Sequence, residues 1–242
     1  MLQIALNNDE GFKASLSLNY QTIKRFSPLT PKRICITNLY SAERRRIERF
    51  IEQKFRYSYR AEITHHYPIL MSVHDEDDNI LAALGFRYAN EESLFLEHYL
   101  NTPIEAALSQ AYRTNISRHD VTEIGNLASD GQGASIFLFT ALNAYLEQQG
   151  KTVNVVTATD FLHRYFKKLG LKSKELAKAN QSLLADGGLS WGSYYDENPR
   201  VIAGHVSQVL IKLRKHLQVV LEESETEMVT RIHHPSMIED VV

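Results

Sequence analysis

A mixed α/β sheet with helices on both faces is the fold that the sequence predicts, and three observations predict it. Two strand–helix–strand units follow one another in the second half of the chain, over 120–195. An antiparallel hairpin precedes them, with Ile69–Val73 and Ile80–Ala89 as apolar runs around the turn-rich segment HDEDDN. Apolar residues make up 43% of the 242 residues, enough for one packed core and too many for a disordered chain.

The elements follow in order. Residues 1–30 are polar with scattered apolar positions and read as an N-terminal arm or leader. Arg33–Leu39 is a short β-type run, and Ser41 is a good N-cap for a helix in which Ile47, Phe50, Ile51 and Phe55 keep helical spacing. Arg44, Arg45, Arg46 and Arg49 fall largely off that stripe, on a face that is either solvated or an anchor for phosphate or a carrier protein. Leu94–Leu100 leads into Thr102-Pro103-Ile104-Glu105, where threonine at N-cap, proline at N1 and glutamate at N3 start a helix that runs to about Arg113. Asp120–Ala128 reads as a strand, Ser135–Gln149 as a helix stopped by Gly150, Val153–Thr159 as a strand and Phe161–Lys168 as a helix. Leu189–Tyr195 is expected as a last strand. Over 206–221 a helix carries Val206, Val209, Leu210, Leu213, Leu217, Val220 and Leu221 on one side, opposite Lys212, Arg214, Lys215 and His216. An acidic tail from Glu222 is expected to be mobile. Three regions result: the arm (1–30), an α/β domain (31–205), and the C-terminal helix with its tail (206–242).

Composition excludes several functions. A net charge of −2 gives no basic field for nucleic acid. The lone Cys35 permits neither an internal disulfide nor a cysteine metal cluster. His65-His66 and His233-His234 lack metal-ligand spacing, and HDEDDN lacks the glycine and distal glutamate of a calcium loop, so no metal is expected. No run approaches the ~18 apolar residues of a transmembrane helix, and no secretory leader is evident; a cytoplasmic protein is expected.

The segment VTEIGNLASDGQGAS, Val121–Ser135, concentrates the chemistry. A strand bearing Glu123 leads into Gly131-Gln132-Gly133-Ala134-Ser135 and then a helix. Backbone N–H groups bared at such a turn, with a helix dipole behind them, suit a phosphate-sized anion. A third glycine for a dinucleotide fingerprint is missing, and so is the P-loop pattern. On the residues alone, the turn is either a common glycine-rich connection or an anion cradle. Glu123 is either a buried general base or a structural acceptor paired with Arg87 or Arg118. Glu97, His98 and Tyr99 precede the Thr102 cap; His98 either shuttles a proton or sits idle at the surface. Trp191, Tyr194 and Tyr195 either line a tunnel or fill the core.

The order of a Glu123 strand, Gly-loop, helix, Val153–Thr159 strand and aromatic helix ending in Leu169-Gly170-Leu171 resembles the GNAT acyltransferase layout. The segment EIGNLAS is similar to a strand of acyl-homoserine-lactone synthases, which share that fold. Ala128 stands where the acetyltransferases open the loop with glutamine or arginine, and Asn126 where the synthases carry arginine. Six ordered segments, YPILMSVHD, AALGFRYA, LFLEHYLNTPIE, EIGNLAS, TATDFLHRYFKKLGL and WGSYYDENPRVIAG, resemble the thermostable hemolysin family over roughly 60–205.

These resemblances imply a GNAT-like, splayed mixed sheet and transfer of a fatty acyl group from acyl carrier protein or acyl-CoA to a small amine. Asn126, Leu127, Ala128 and Gly131–Ser135 would hold the donor, with Ala134 inside the loop. Arg87, Tyr99, Thr159, Trp191, Tyr194 and Tyr195 would line the substrate side, and Glu123, Glu97 or His98 would assist deprotonation. The family name implies another reading, direct lysis of membranes through contact by 206–221, and the departure at Ala128 leaves a third, acyl binding without catalysis. An oligomer is compatible with each.

Overall fold

The computed structural model describes residues 1–223 and contains one ten-stranded sheet. In chain order the elements are β1 (Leu2–Asn8), β2 (Gly11–Leu18), α1 (Tyr20–Ile23), β3 (Arg33–Thr37), α2 (Arg44–Tyr59), β4 (Ile69–His74), β5 (Ile80–Tyr88), α3 (Ile104–Tyr112), β6 (Val121–Ser129) and α4 (Ser135–Gln148). There follow β7 (Val153–Ala158), α5 (Asp160–Lys168), β8 (Lys174–Lys178), β9 (Arg200–His205), α6 (Val206–Leu217) and β10 (Val220–Glu223). The strands lie in the order β10-β2-β1-β3-β4-β5-β6-β7-β9-β8. Neighbours are antiparallel except β1–β3 and β6–β7.

Period-two side-chain alternation divides the molecule into two layers. On one face Met71, Val73 and Leu84 pack with Phe137, Leu138 and Leu142 of α4, and α6 covers α4 through Val206, Leu210, Leu213 and Leu217. Squeezed between sheet and α6, α4 is buried on every side from Ile136 to Ala144. On the other face Leu70 and Ala83 pack with Ile47, Ile51 and Phe55 of α2.

Three expectations are corrected. Residues 1–30 are not an arm. Ile4 and Leu6 alternate inward on β1, Ala14, Leu16 and Leu18 on β2, and the two strands extend the sheet as a hairpin. Leu189–Tyr195 is not a strand but lies within a 3-10 helical stretch, Leu189–Glu197. Left-handed Gly188 and Gly192 break any extended run there, and a Cβ on Gly192 would stand 2.0 Å from the Tyr59 carbonyl oxygen. The strands of this region are β8 and β9.

The helix expected over 206–221 stops at Leu217. Gln218 takes a left-handed φ of 50°, its side chain accepts from Asn19 at 2.7 Å, and the chain re-enters the sheet as β10. Val206, Leu210, Leu213 and Leu217 of the apolar stripe proposed for membrane contact are thereby buried with α4, whereas Val220 stays exposed on β10. No helix among the described residues is long and apolar enough to cross a membrane. The tail expected to be mobile, with His233-His234, lies outside the described residues beyond 223.

Candidate active site

The site arises where two parallel strands part. β6 and β7 pair only from Val121↔Val153 to Ile124↔Val156, and then both continue apart. On the opposite side of β6 the ladder to β5 slips. Ala83 pairs with Ala128 but Gly85 with Gly125, so Asn126 and Leu127 together face Leu84 as a β-bulge. Asn126 absorbs the extra residue with a left-handed φ of 51°, and its side chain donates to the His65 carbonyl at 3.4 Å. The gap forms a cleft of about 450 Å³ lined by α2, β6, the glycine turn, the end of β7, α5 and a group of aromatic rings.

At one end of the cleft is the turn. Gly131, Gln132 and Gly133 have successive φ values of 88°, 50° and 77°. Gly131 N–H is taken by Ser129 Oγ at 3.0 Å and Ala134 N–H by the Gly131 carbonyl at 3.0 Å. The amides of Gln132, Gly133 and Ser135 have no acceptor among the described residues. Such a run of bared N–H groups at the start of a 14-residue helix is an anion-binding concavity. Gly133 is required on two counts: its left-handed φ, and the Phe26 carbonyl oxygen 2.1 Å from where a Cβ would sit. Lys54 of α2, the one charged side chain lining the cleft among the described residues, is paired with Asp130 at the turn's edge. Thr159, also on the lining, caps α5 by accepting from Leu162 N–H at 3.4 Å.

In the middle of the cleft Tyr67 lies across the sheet. Gly85 and Gly125 are cross-strand partners, and a Cβ on either would strike this ring, at 2.6 Å from its Cβ and 2.2 Å from its hydroxyl respectively. The paired glycines are the bed of the ring. Behind Tyr67 is Glu123, 1% exposed and outside the cleft lining. Its carboxylate accepts from Phe95 N–H at 2.9 Å and Leu96 N–H at 2.8 Å, and the Tyr67 hydroxyl lies beside it. Arg87 Nε stands 3.2 Å away as an ion pair off the hydrogen-bond axis, with its guanidinium 4.3 Å from the Tyr67 ring centre. Burial pushes the Glu123 carboxyl up; Arg87 and the two amides oppose this without cancelling it. Burial, with the nearby Glu123 charge, also raises Tyr67 well above the usual phenol range.

Glu97 and His98 are not brought to the cleft. Glu97 is tied down by Arg118 Nη1 at 2.6 Å and Nη2 at 2.8 Å, by Leu94 N–H at 2.9 Å and by Ile104 N–H at 3.0 Å. The Arg118 bonds, helped by the amides, hold its carboxyl at about 2, which makes it a poor proton acceptor. His98 is exposed, with Nδ1 against the Phe95 carbonyl at 2.7 Å.

The Glu97 bonds make a stability prediction. The folded-state value lies below the ordinary 4.5, so this carboxylate stabilises the fold above about pH 4.5 and loses that contribution as pH falls toward 2. Denaturant midpoints measured from pH 6 to pH 2 should fall less steeply in Glu97→Gln than in the unsubstituted chain. Equal slopes would refute it.

Of the aromatic residues, Trp191, Tyr194 and Tyr99 line the cleft, and Tyr194 donates to the Thr157 carbonyl at 3.1 Å. Tyr195 stands behind them, its hydroxyl bonded to that of Tyr99. Lys54 and Tyr67 were not singled out in the sequence. The signal for Tyr67 was present as two glycines inside strands, Gly85 and Gly125, where a strand gains nothing from glycine unless something lies close upon it. Among the described residues no three His, Cys, Asp or Glu side chains gather as a metal site.

The fold is similar to that of the AHL synthase LasI, at a TM-score of 0.52 and 12% identity over 76% of this chain and 94% of LasI. It is also similar to TofI in an apo form, at 0.50 and 10% over 74% and 95%. No curated protein matches the sequence. The pattern that defines thermostable hemolysins matches residues 38–210, which span β4 to β9 and every residue lining the cleft. The chain belongs to the thermostable hemolysin family.

Proposed function

We propose that the protein is an N-acyltransferase whose cleft takes an acyl thioester on a phosphopantetheine arm, from coenzyme A or a carrier protein, and passes the fatty acyl group to an amine. One observation carries this reading: three free amides of a helix-initiating turn stand at one end of a cleft that opens between parting strands at a bulge. The amides suit the phosphate, and the strand gap suits the extended arm. Backbone freed from the ladder near Leu127 suits the thioester carbonyl.

In the reaction the amine nitrogen attacks the carbonyl carbon, an N–C bond forms and the C–S bond breaks. The amine's proton ends on the departing thiolate. Glu123 reaches the cleft only through Tyr67, so the phenol takes the proton as its own passes to the carboxylate, and the relay then runs in reverse to protonate the departing thiolate, which keeps charge off the phenol. Tyr67→Phe should lower kcat about 100-fold with KM nearly unchanged, within the range for a lost acid–base group. An unchanged kcat would remove Tyr67 from the mechanism.

Lys54→Ala should weaken donor binding about tenfold, as a lost charge-assisted contact does, and flatten its salt dependence. Calorimetric titration at two ionic strengths measures both. Red-cell lysis is assigned to a surface-active acylated product, in keeping with the burial of the α6 stripe. Purified protein incubated with acyl-CoA or acyl carrier protein donors and an amine panel should release thiol only when an amine is present. Absence of amine-dependent release across all chain lengths and amines would defeat the reading.

A further inference from the structure

Ile124 and Val156 are the last pair of the β6–β7 ladder, and they line two cavities. One is the cleft. The other, about 60 Å³, lies on the α4 face of the sheet, walled by Phe139, Phe166, Leu171, Ile202 and Val209. Lys172 and Ser173 are also on its lining, and Lys172 is exposed to solvent.

Gly204 of β9 completes the wall, opposite Asn154 in the ladder. Glycine inside a strand weakens it and ordinarily marks a left-handed backbone or the close approach of another chain segment or a ligand. Neither of the first two applies here. Gly204 has no left-handed φ, and an added Cβ would meet only the Lys172 carbonyl oxygen, at an ordinary 3.7 Å. The fold does not need glycine at this position; the space that glycine leaves belongs to the cavity.

We infer that this second cavity receives the distal part of the donor's acyl chain, a linear hydrocarbon that leaves the cleft past Ile124 and Val156, and that Gly204 sets the chain length admitted. The inference rests on the donor-site reading. It makes the reaction selective for chains long enough to pass Ile124 and Val156, because only their methylenes gain the apolar walls beyond. Chains too short to pass are held by the phosphate and arm contacts alone.

The test uses inert S-alkyl phosphopantetheine thioethers, ethyl and dodecyl, titrated calorimetrically into the full chain. The dodecyl compound should bind at least tenfold tighter than the ethyl compound. Gly204→Leu, whose side chain fills the cavity, should bring that ratio to near one while thermal unfolding remains cooperative. A ratio that Gly204→Leu leaves unchanged overturns the inference. Should Gly204→Leu fail to fold, Gly204→Ala decides: its Cβ fits, and a ratio reduced by at least twofold supports the site, whereas an unaltered ratio overturns it. Ethyl binding with no gain for dodecyl in the unsubstituted chain overturns the acyl cavity alone. No binding of either thioether overturns the donor-site reading, and this inference with it.

Discussion

Gly133→Ala is expected to abolish measurable donor binding, the largest functional effect of any single methyl group in this protein. A Cβ there would sit 2.1 Å from the Phe26 carbonyl oxygen, and the φ of 77° is one that an L residue adopts only at a cost of roughly 1–2 kcal/mol. The obstacle is backbone, so no rotamer change relieves it. Either the turn or residues 26–27 must move, and the free amides of Gln132, Gly133 and Ser135 lose their common aim. Gly131→Ala is the control. Its φ of 88° carries similar strain, but nothing lies within 4 Å of the added atom. Calorimetry with a phosphopantetheine thioether should show Gly131→Ala weakened several-fold and Gly133→Ala without detectable binding. Equal affinities for the two variants would mean that the turn's aim is irrelevant to the donor.

Glu123→Ala is expected to cost about 3–5 kcal/mol of stability, the usual penalty for removing one partner from a buried charged network. Two amides, Phe95 N–H and Leu96 N–H, would lose their acceptor, and Arg87 would keep only exposed partners, Glu92 at 3.1 Å and the Ser93 carbonyl at 3.4 Å. Urea denaturation monitored by circular dichroism measures this; a loss under about 1 kcal/mol would mean that water replaces the carboxylate without strain. Glu123→Gln retains an acceptor oxygen and should fold, yet lose the relay. The pH profile separates the two roles. Because burial raises the Glu123 carboxyl, kcat should fall as pH drops through a value above 4.5, and Glu123→Gln should lack that acid limb.

Much of the central sheet was legible because its residues obey one rule at a time. The Thr102-Pro103-Ile104-Glu105 start, the apolar run of α4 with its Gly150 stop and the hairpin around HDEDDN carry short-range signals, and α3, α4, β4 and β5 stand where those signals lie. The N-terminal hairpin was readable too: Ile4 and Leu6, then Ala14, Leu16 and Leu18, alternate around Asn7-Asn8-Asp9-Glu10-Gly11. Serines and asparagines among these apolar residues hid a pattern that pairing with β3 and β10 makes decisive. In WGSYYDENPRVIAG, aromatic content argued for a strand, while the glycine conformations and the Asp186 carboxylate, accepting from Gly188 and Ser190 N–H at 2.9 Å each, coil it instead.

The site divides in the same way. The turn's free amides follow from local sequence, since two glycines before a helix bare N–H groups wherever they occur. The roles of the carboxylates do not. Glu97 and Glu123 look alike in sequence, and only the fold brings Arg118 with two amides to the first and Tyr67 with Arg87 to the second. Tyr67 itself lies 56 residues before Glu123 in the chain and meets it only because Gly85 and Gly125 pair.

The most direct test of the donor cleft is a crystal structure of the full chain grown with a non-hydrolysable S-alkyl coenzyme A thioether. Phosphate oxygens should lie within hydrogen-bonding distance of the Gln132, Gly133 and Ser135 amides, with the pantetheine arm between the parted ends of β6 and β7 and the sulfur beside the bulge at Asn126 and Leu127. A saturated crystal in which the compound binds elsewhere, or in which the cleft is empty, would contradict the account.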